Sequence, residues 1–171
     1  MAIVYVLGKL EAVVKKILQA VVAFLFAAMT MLVFAQVFTR FCTNAALTWS
    51  EELSRFMLVW LIYMASVLAY SEKIHIAVDA LTMHLKDGLE KTIQLVNRVC
   101  ILAFAIFITM GAIEFIPTTA FQQSPANGIV MAYVYFAIPV SMTFMALTTT
   151  REIFEILFGI EQETKGPEAI L

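Results

Sequence analysis

The chain is poor in charge. Of its 171 residues, 14% are Asp, Glu, Lys or Arg, against 62% that are hydrophobic. A soluble domain carries roughly 25% charged and about 45–50% apolar residues, so a water-soluble globular enzyme is excluded. There is no basic excess either: eleven Lys and Arg stand against thirteen Asp and Glu, for a net charge of −2. Nothing in that balance offers a footprint for nucleic acid. Cysteine is scarce. Cys42 and Cys100 are the only two, they form no CxxC pair, and two histidines do not complete a zinc-ligand spacing with them. The chain contains no internal repeat, Gly/Ser linker or low-complexity tract.

What is abundant is uncharged apolar sequence. Ile17 to Thr39 runs 23 residues without a charge, and a membrane-spanning helix needs about 20. The pattern predicts an all-α integral membrane protein, a single membrane domain over 1–171 with four spans, at about 17–38, 53–70, 96–116 and 129–149. Arg98 and Glu114 flank the third span. They lie about 24 Å apart along a helix, so Arg98 can snorkel toward one interface while Glu114 sits at the other. Pro117–Gly128, with Pro125, Asn127 and Gly128 and no charge, reads as a compact turn. Arg151 and Glu152 are expected to stop the last span. Two short interfacial helices are expected, about 7–16 and 79–88. The first, running into the first span, shows Leu7, Leu10, Val14 and Ile17 against Lys9, Glu11 and Lys16. The second shows Val78, Leu81 and Leu85 at helical spacing, with Asp79 to cap it and Gly88 to end it. The first charge comes only at Lys9, and the apolar run after Lys16 exceeds the 7–15 residues of a cleavable signal core. The first helix is therefore expected to stay in the membrane.

Orientation follows from the basic residues. With four spans, one side holds both termini and the middle loop. That side carries Lys9, Lys15, Lys16, Lys73, Lys86, Lys91, Arg98, Arg151 and Lys165, while the other carries Arg40 and Arg55. The positive-inside rule places both termini in the cytoplasm.

The expected spans hold almost no ionisable group, whereas ion and proton pathways are built from such groups. Their middles offer only Thr30, Ser66, Thr109 and Ser141. Paired inverted halves and broken half-helices, the mark of a self-contained secondary transporter, do not stand out. Pro139 is the clear kink site, because it leaves the Tyr135 carbonyl without its usual donor. His75 and His84 lie in the middle loop, not facing each other across spans as a haem would require.

Two stretches carry more polarity than anchoring needs. The first, Thr48-Trp49-Ser50-Glu51-Glu52-Leu53-Ser54-Arg55-Phe56, leads into the second span. Thr48 with Glu51 matches a capping box, and two acids in a first turn favour the helix dipole. Arg55 stands four residues after Glu51 and three after Glu52, both supportive spacings. Trp49 suits an interface. A well-capped helix start and a docking surface for another polypeptide both fit. No third ligand follows at a spacing that would make the carboxylates a metal or acid–base pair. The second stretch, Glu72-Lys73-Ile74-His75-Ile76-Ala77-Val78-Asp79, reads on its own as a solvated loop running into an interfacial helix.

Taken in order, Trp49, Glu51-Glu52, Arg55 and Trp60, then His75-Ile76 and Asp79, then Gln123-Ser124-Pro125, and Tyr135 followed by Ile138-Pro139 resemble the DctQ-like small membrane subunit of the tripartite ATP-independent periplasmic (TRAP) transporters. The resemblance covers roughly Ile17–Glu155; the Glu163–Leu171 tail matches nothing in it. It implies four helices, a bacterial inner-membrane location and no catalytic activity. It also implies a larger multi-span membrane subunit that carries the sodium and substrate sites, and a periplasmic substrate-binding protein. No cofactor is implied for this chain, whose expected contacts are those partners and membrane lipid, not nucleic acid. The small subunit would widen the fixed part of an elevator-type transporter driven by sodium. Trp49, Glu51, Glu52, Arg55, His75 and Asp79 are then the candidate partner-interface residues. The substrate would be an organic acid of the dicarboxylate or sialic acid type, with a lean to sialic acid that rests on no residue. The competing readings are a self-contained small channel or exporter, which would need polar stripes on several helices, and a haem or quinone subunit, which would need mid-span histidine pairs.

Overall fold

The structure, a computed structural model, describes residues 2–43, 47–71 and 87–158. The described chain is helical: α1 (Ala2–Thr43), α2 (Thr48–Ser71), α3 (Asp87–Thr119), the short α4 (Met131–Tyr135) and α5 (Ala137–Phe158). Four stretches, Ala12–Cys42, Thr48–Ser71, Lys91–Thr119 and Met131–Leu157, are long and apolar enough to cross a membrane. The helices stand in a row. α1 packs on α2, α2 on α5 and α5 on α3, with a lesser contact of α1 on α5.

Each junction has its own chemistry. Leu18, Met64 and Val67 form an apolar core between α1 and α2, ringed by Val14, Val22, Trp60, Val140 and Phe144. The α3–α5 junction is built from small residues. Arg98, Ala105, Ala112 and Thr119 recur every seven residues along one face of α3, and Ala105, Ala112 and Thr119 are buried. Ala137, Ser141, Thr148 and Thr149 are buried on α5. Lipid tails are as apolar as leucine, so association within a membrane depends on close packing of small side chains rather than on hydrophobic burial.

The ends of the helices depart from the hydropathy pattern. The stretch about 7–16 is the exception, running on into the rest of α1 as its sequence suggests. A Cβ built at Gly8 would lie 3.8 Å from the Arg151 guanidinium carbon, so this turn packs over α5. Most of the expected helix at 79–88 lies outside the described residues, but Gly88, expected to end it, is the second residue of α3. Pro117, expected in a turn, lies inside α3 near its end. A proline there forfeits one donor close to where the ladder stops anyway, and the Pro117 carbonyl accepts from Ala120 N at 3.3 Å. Arg151 and Glu152, expected to stop the last span, sit well inside α5, because both are paired within the bundle as described below. The last span is also interrupted: α4 ends at Tyr135 and α5 begins at Ala137. Pro139 therefore falls in the first turn of α5, where its missing N–H costs no intrahelical bond. Trp60 Nε1 donates to the Tyr133 carbonyl at 3.2 Å on the turn before this break, and Phe115 meets Tyr135 edge-to-face at 5.3 Å.

Candidate functional site

The first polar centre lies where α2 begins. Its helical ladder opens with Glu51 N donating to the Leu47 carbonyl at 3.3 Å, so Leu47 rather than Thr48 holds the cap position. Trp49, Glu51 and Arg55 are exposed. Arg55 pairs with Glu51 at 3.2 Å across one helical turn, as the spacing predicts. Glu52 does not join them. It turns toward the loop between α3 and α4, where its Oε2 accepts from Ser124 Oγ at 2.6 Å, Ala126 N at 3.1 Å, Asn127 N at 3.0 Å and Asn127 Nδ2 at 3.2 Å. Asn127 Nδ2 also donates to the Trp49 carbonyl at 2.8 Å. Successive backbone amides curled round one oxygen make an anion nest. Here the anion is the chain's own side chain.

The loop is shaped to provide it. Ser124 N donates to the Ile129 carbonyl at 2.9 Å, Gly128 N to the Ser124 carbonyl at 3.0 Å and Met131 N to the Gln122 carbonyl at 2.9 Å. Gly128 closes the turn at φ 64°, the left-handed region that other residues enter only with strain.

The second polar centre lies at the opposite end of the bundle, and hydropathy alone does not show it. Arg98 Nε lies 3.2 Å from Glu152 Oε2, with side chains only 15% and 9% exposed. Tyr70 donates to the same Glu152 oxygen at 3.0 Å and accepts from Arg98 at 3.4 Å. The Thr149 hydroxyl lies 2.8 Å from both the Tyr70 oxygen and the Met145 carbonyl, and its one proton serves either. The Arg98 guanidinium carbon stands 5.8 Å from the Tyr70 ring centre. Nearby, Arg151 and Glu155 pair at 2.7 Å. Arg98, expected to reach outward to the interface, instead points inward, because a buried carboxylate on α5 faces it. His75 and Asp79 lie outside the described residues.

Residues 29–159 match the family model described as "Tripartite ATP-independent periplasmic transporters, DctQ component". The chain belongs to the DctQ family. It is 33% identical over 113 residues to a Haemophilus influenzae chain described as a TRAP transporter small permease protein, covering 66% of this chain and 68% of that one. It is 28% identical over 111 residues to the isethionate TRAP transporter permease protein DctMQ of Oleidesulfovibrio alaskensis, covering 64% of this chain but 18% of that much longer one. It is 24% identical over 156 residues to the sialic acid TRAP transporter small permease protein SiaQ of Vibrio cholerae, covering 88% of this chain and 87% of that one.

The DctQ chain is thus a TRAP small permease subunit, a multi-pass membrane component of a transporter. Within it, two of the motifs that carry the resemblance are physically joined. Glu52 of the Glu51-Glu52 pair holds Ser124 of the Gln123-Ser124-Pro125 turn. The Ser-Pro-Ala-Asn-Gly sequence from 124 to 128 was the available signal for a nest, though not for its occupant. Tyr70, Arg98, Thr149 and Glu152 were missed, since each sits near the edge of an apolar run, where charge and hydroxyl read as interfacial.

Proposed function

We propose that this DctQ-family chain is the scaffold subunit of a sodium-driven importer of organic acids in the bacterial inner membrane. A larger membrane subunit supplies the sodium and substrate sites, and a periplasmic protein delivers the substrate. The observation that supports a scaffold most directly is the state of the hydroxyls in the spans. Thr30 donates to the Phe26 carbonyl, Ser66 to Ile62, Thr109 to Ala105 and Ser141 to Ile138, all at 2.7–2.8 Å. Each donor is committed to its own helix backbone. The Arg98–Glu152 pair is likewise held between helices of the bundle. A pathway for an anion and sodium requires polar groups free to exchange partners; these groups serve helix geometry instead.

The long DctMQ relative supports the large partner, since the matched segment is a minor part of one permease chain. The basic residues support cytoplasmic termini, which puts the Glu51–Arg55 pair and the Glu52 nest on the periplasmic face and the Arg98–Glu152 pair on the cytoplasmic one. The substrate reading stays at organic acids. Relatives named for C4-dicarboxylate, isethionate and sialic acid all match this chain, at 34%, 28% and 24% identity, and the three share the class of organic acid. No cofactor is assigned to this chain.

Purifying the tagged chain in mild detergent from cells that also express the candidate large subunit tests the proposal. Recovery of a stoichiometric complex with that multi-span protein is the expected result. Recovery of the chain alone under conditions that keep both proteins folded would contradict it.

A further inference from the structure

We propose that the Tyr70–Arg98–Thr149–Glu152 cluster is a rotational latch that fixes α3 about its own axis against α2 and α5. The small-residue face of α3, where Ala105 and Ala112 are buried on a helix that packs chiefly against α5, lets the helices approach closely but leaves rotation less firmly set. Close packing of small residues favours one face of α3, but it is not directional and resists a modest turn about the axis less than a polar contact does. Arg98 removes that freedom. It lies in the same seven-residue register as Ala105 and Ala112, and its planar fork meets a carboxylate from α5 and a phenol from α2 at once. Guanidinium donors are directional, so a turn of α3 about its axis breaks both contacts together. Buried ion pairs are weak sources of net stability, but they can specify one arrangement over its neighbours. In the latched position Phe107 faces away from the bundle. It lies nine residues from Arg98, about two and a half turns, and is 75% exposed. The latch thereby decides which side of α3 the bundle presents outward. It stands on contacts within this chain and does not depend on the transport role.

The native Cys100, exposed two residues beyond Arg98, is a reporter already in place. In the full-length chain with Cys42→Ser, reconstituted in lipid nanodiscs, spin labels at Cys100 and at an introduced Ala69→Cys on α2 report the α2–α3 distance distribution. The latched chain is expected to give one narrow peak. Arg98→Gln and Glu152→Gln should each lose it for a broad distribution, and the double variant should be no broader than either single one, since both remove the same constraint. Tyr70→Phe, which keeps the ring and removes only the hydroxyl, should broaden the peak less, and it carries the test if the charge variants fail to insert. A narrow peak retained in Arg98→Gln and Glu152→Gln, or in Tyr70→Phe where those do not insert, would overturn the latch. So would broadening that adds from one charge variant to the next.

Discussion

Two carboxylates adjacent in sequence do different work. Glu51 points outward to Arg55, with side chains 60% and 66% exposed; pairs of this kind contribute about 0.3–0.5 kcal/mol. Glu52 points inward and gathers the loop at 124–127. Glu51→Gln is therefore expected to leave the thermal midpoint of the purified chain nearly unchanged. Glu52→Gln should speed hydrogen exchange at the Ala126 and Asn127 amides, and equal exchange in the two variants would contradict the division. If the outward pair serves a partner, as the family resemblance implies, replacing both Glu51 and Arg55 with Gln should lower recovery of the large subunit several-fold while the chain still inserts. Unchanged assembly would leave the pair as simple helix support. The Glu51–Arg55 contact was legible in sequence because it spans one helical turn. The Glu52 contact was not, because its partners lie more than seventy residues away and no local pattern encodes them.

At the scale of the element, hydropathy located, among the described residues, four helices long and apolar enough to cross a membrane, and did not show how far each helix continues. The reason is that charge was read as water-seeking. Glu152 instead finds Arg98 and Tyr70 inside the bundle, and α5 continues past it to Phe158. Removing one partner of a buried pair typically costs about 3–5 kcal/mol, so Glu152→Gln should lower unfolding resistance in detergent far more than Glu51→Gln; comparable midpoints would contradict the burial. The break between α4 and α5 was partly legible, since Pro139 marks a kink in any helix, but its position depends on which turn the proline occupies. Two substitutions test the packing. Ala105→Leu, placed where α3 meets α5, should destabilise by about 1–3 kcal/mol through overpacking. Gly128→Ala should cost about 1–2 kcal/mol for the left-handed backbone it must adopt. Denaturation in mild detergent reads both.

For the whole molecule, the row of helices sets apart two polar centres, one at each end, with hydroxyls folded back on their own helices in between. Cys42 near the end of α1 and Cys100 near the start of α3 belong to opposite ends, and a disulfide requires Cα atoms within about 7 Å. Mild oxidation of the purified monomer should give no intramolecular crosslink, and its appearance would contradict the helix arrangement. The central claim is that this chain supports transport without performing it. Sodium-driven uptake of labelled organic acid into proteoliposomes tests that most directly, comparing the chain alone with the chain plus its large subunit and binding protein. The account predicts uptake only in the complete system. Sodium-dependent uptake by the chain alone would contradict it.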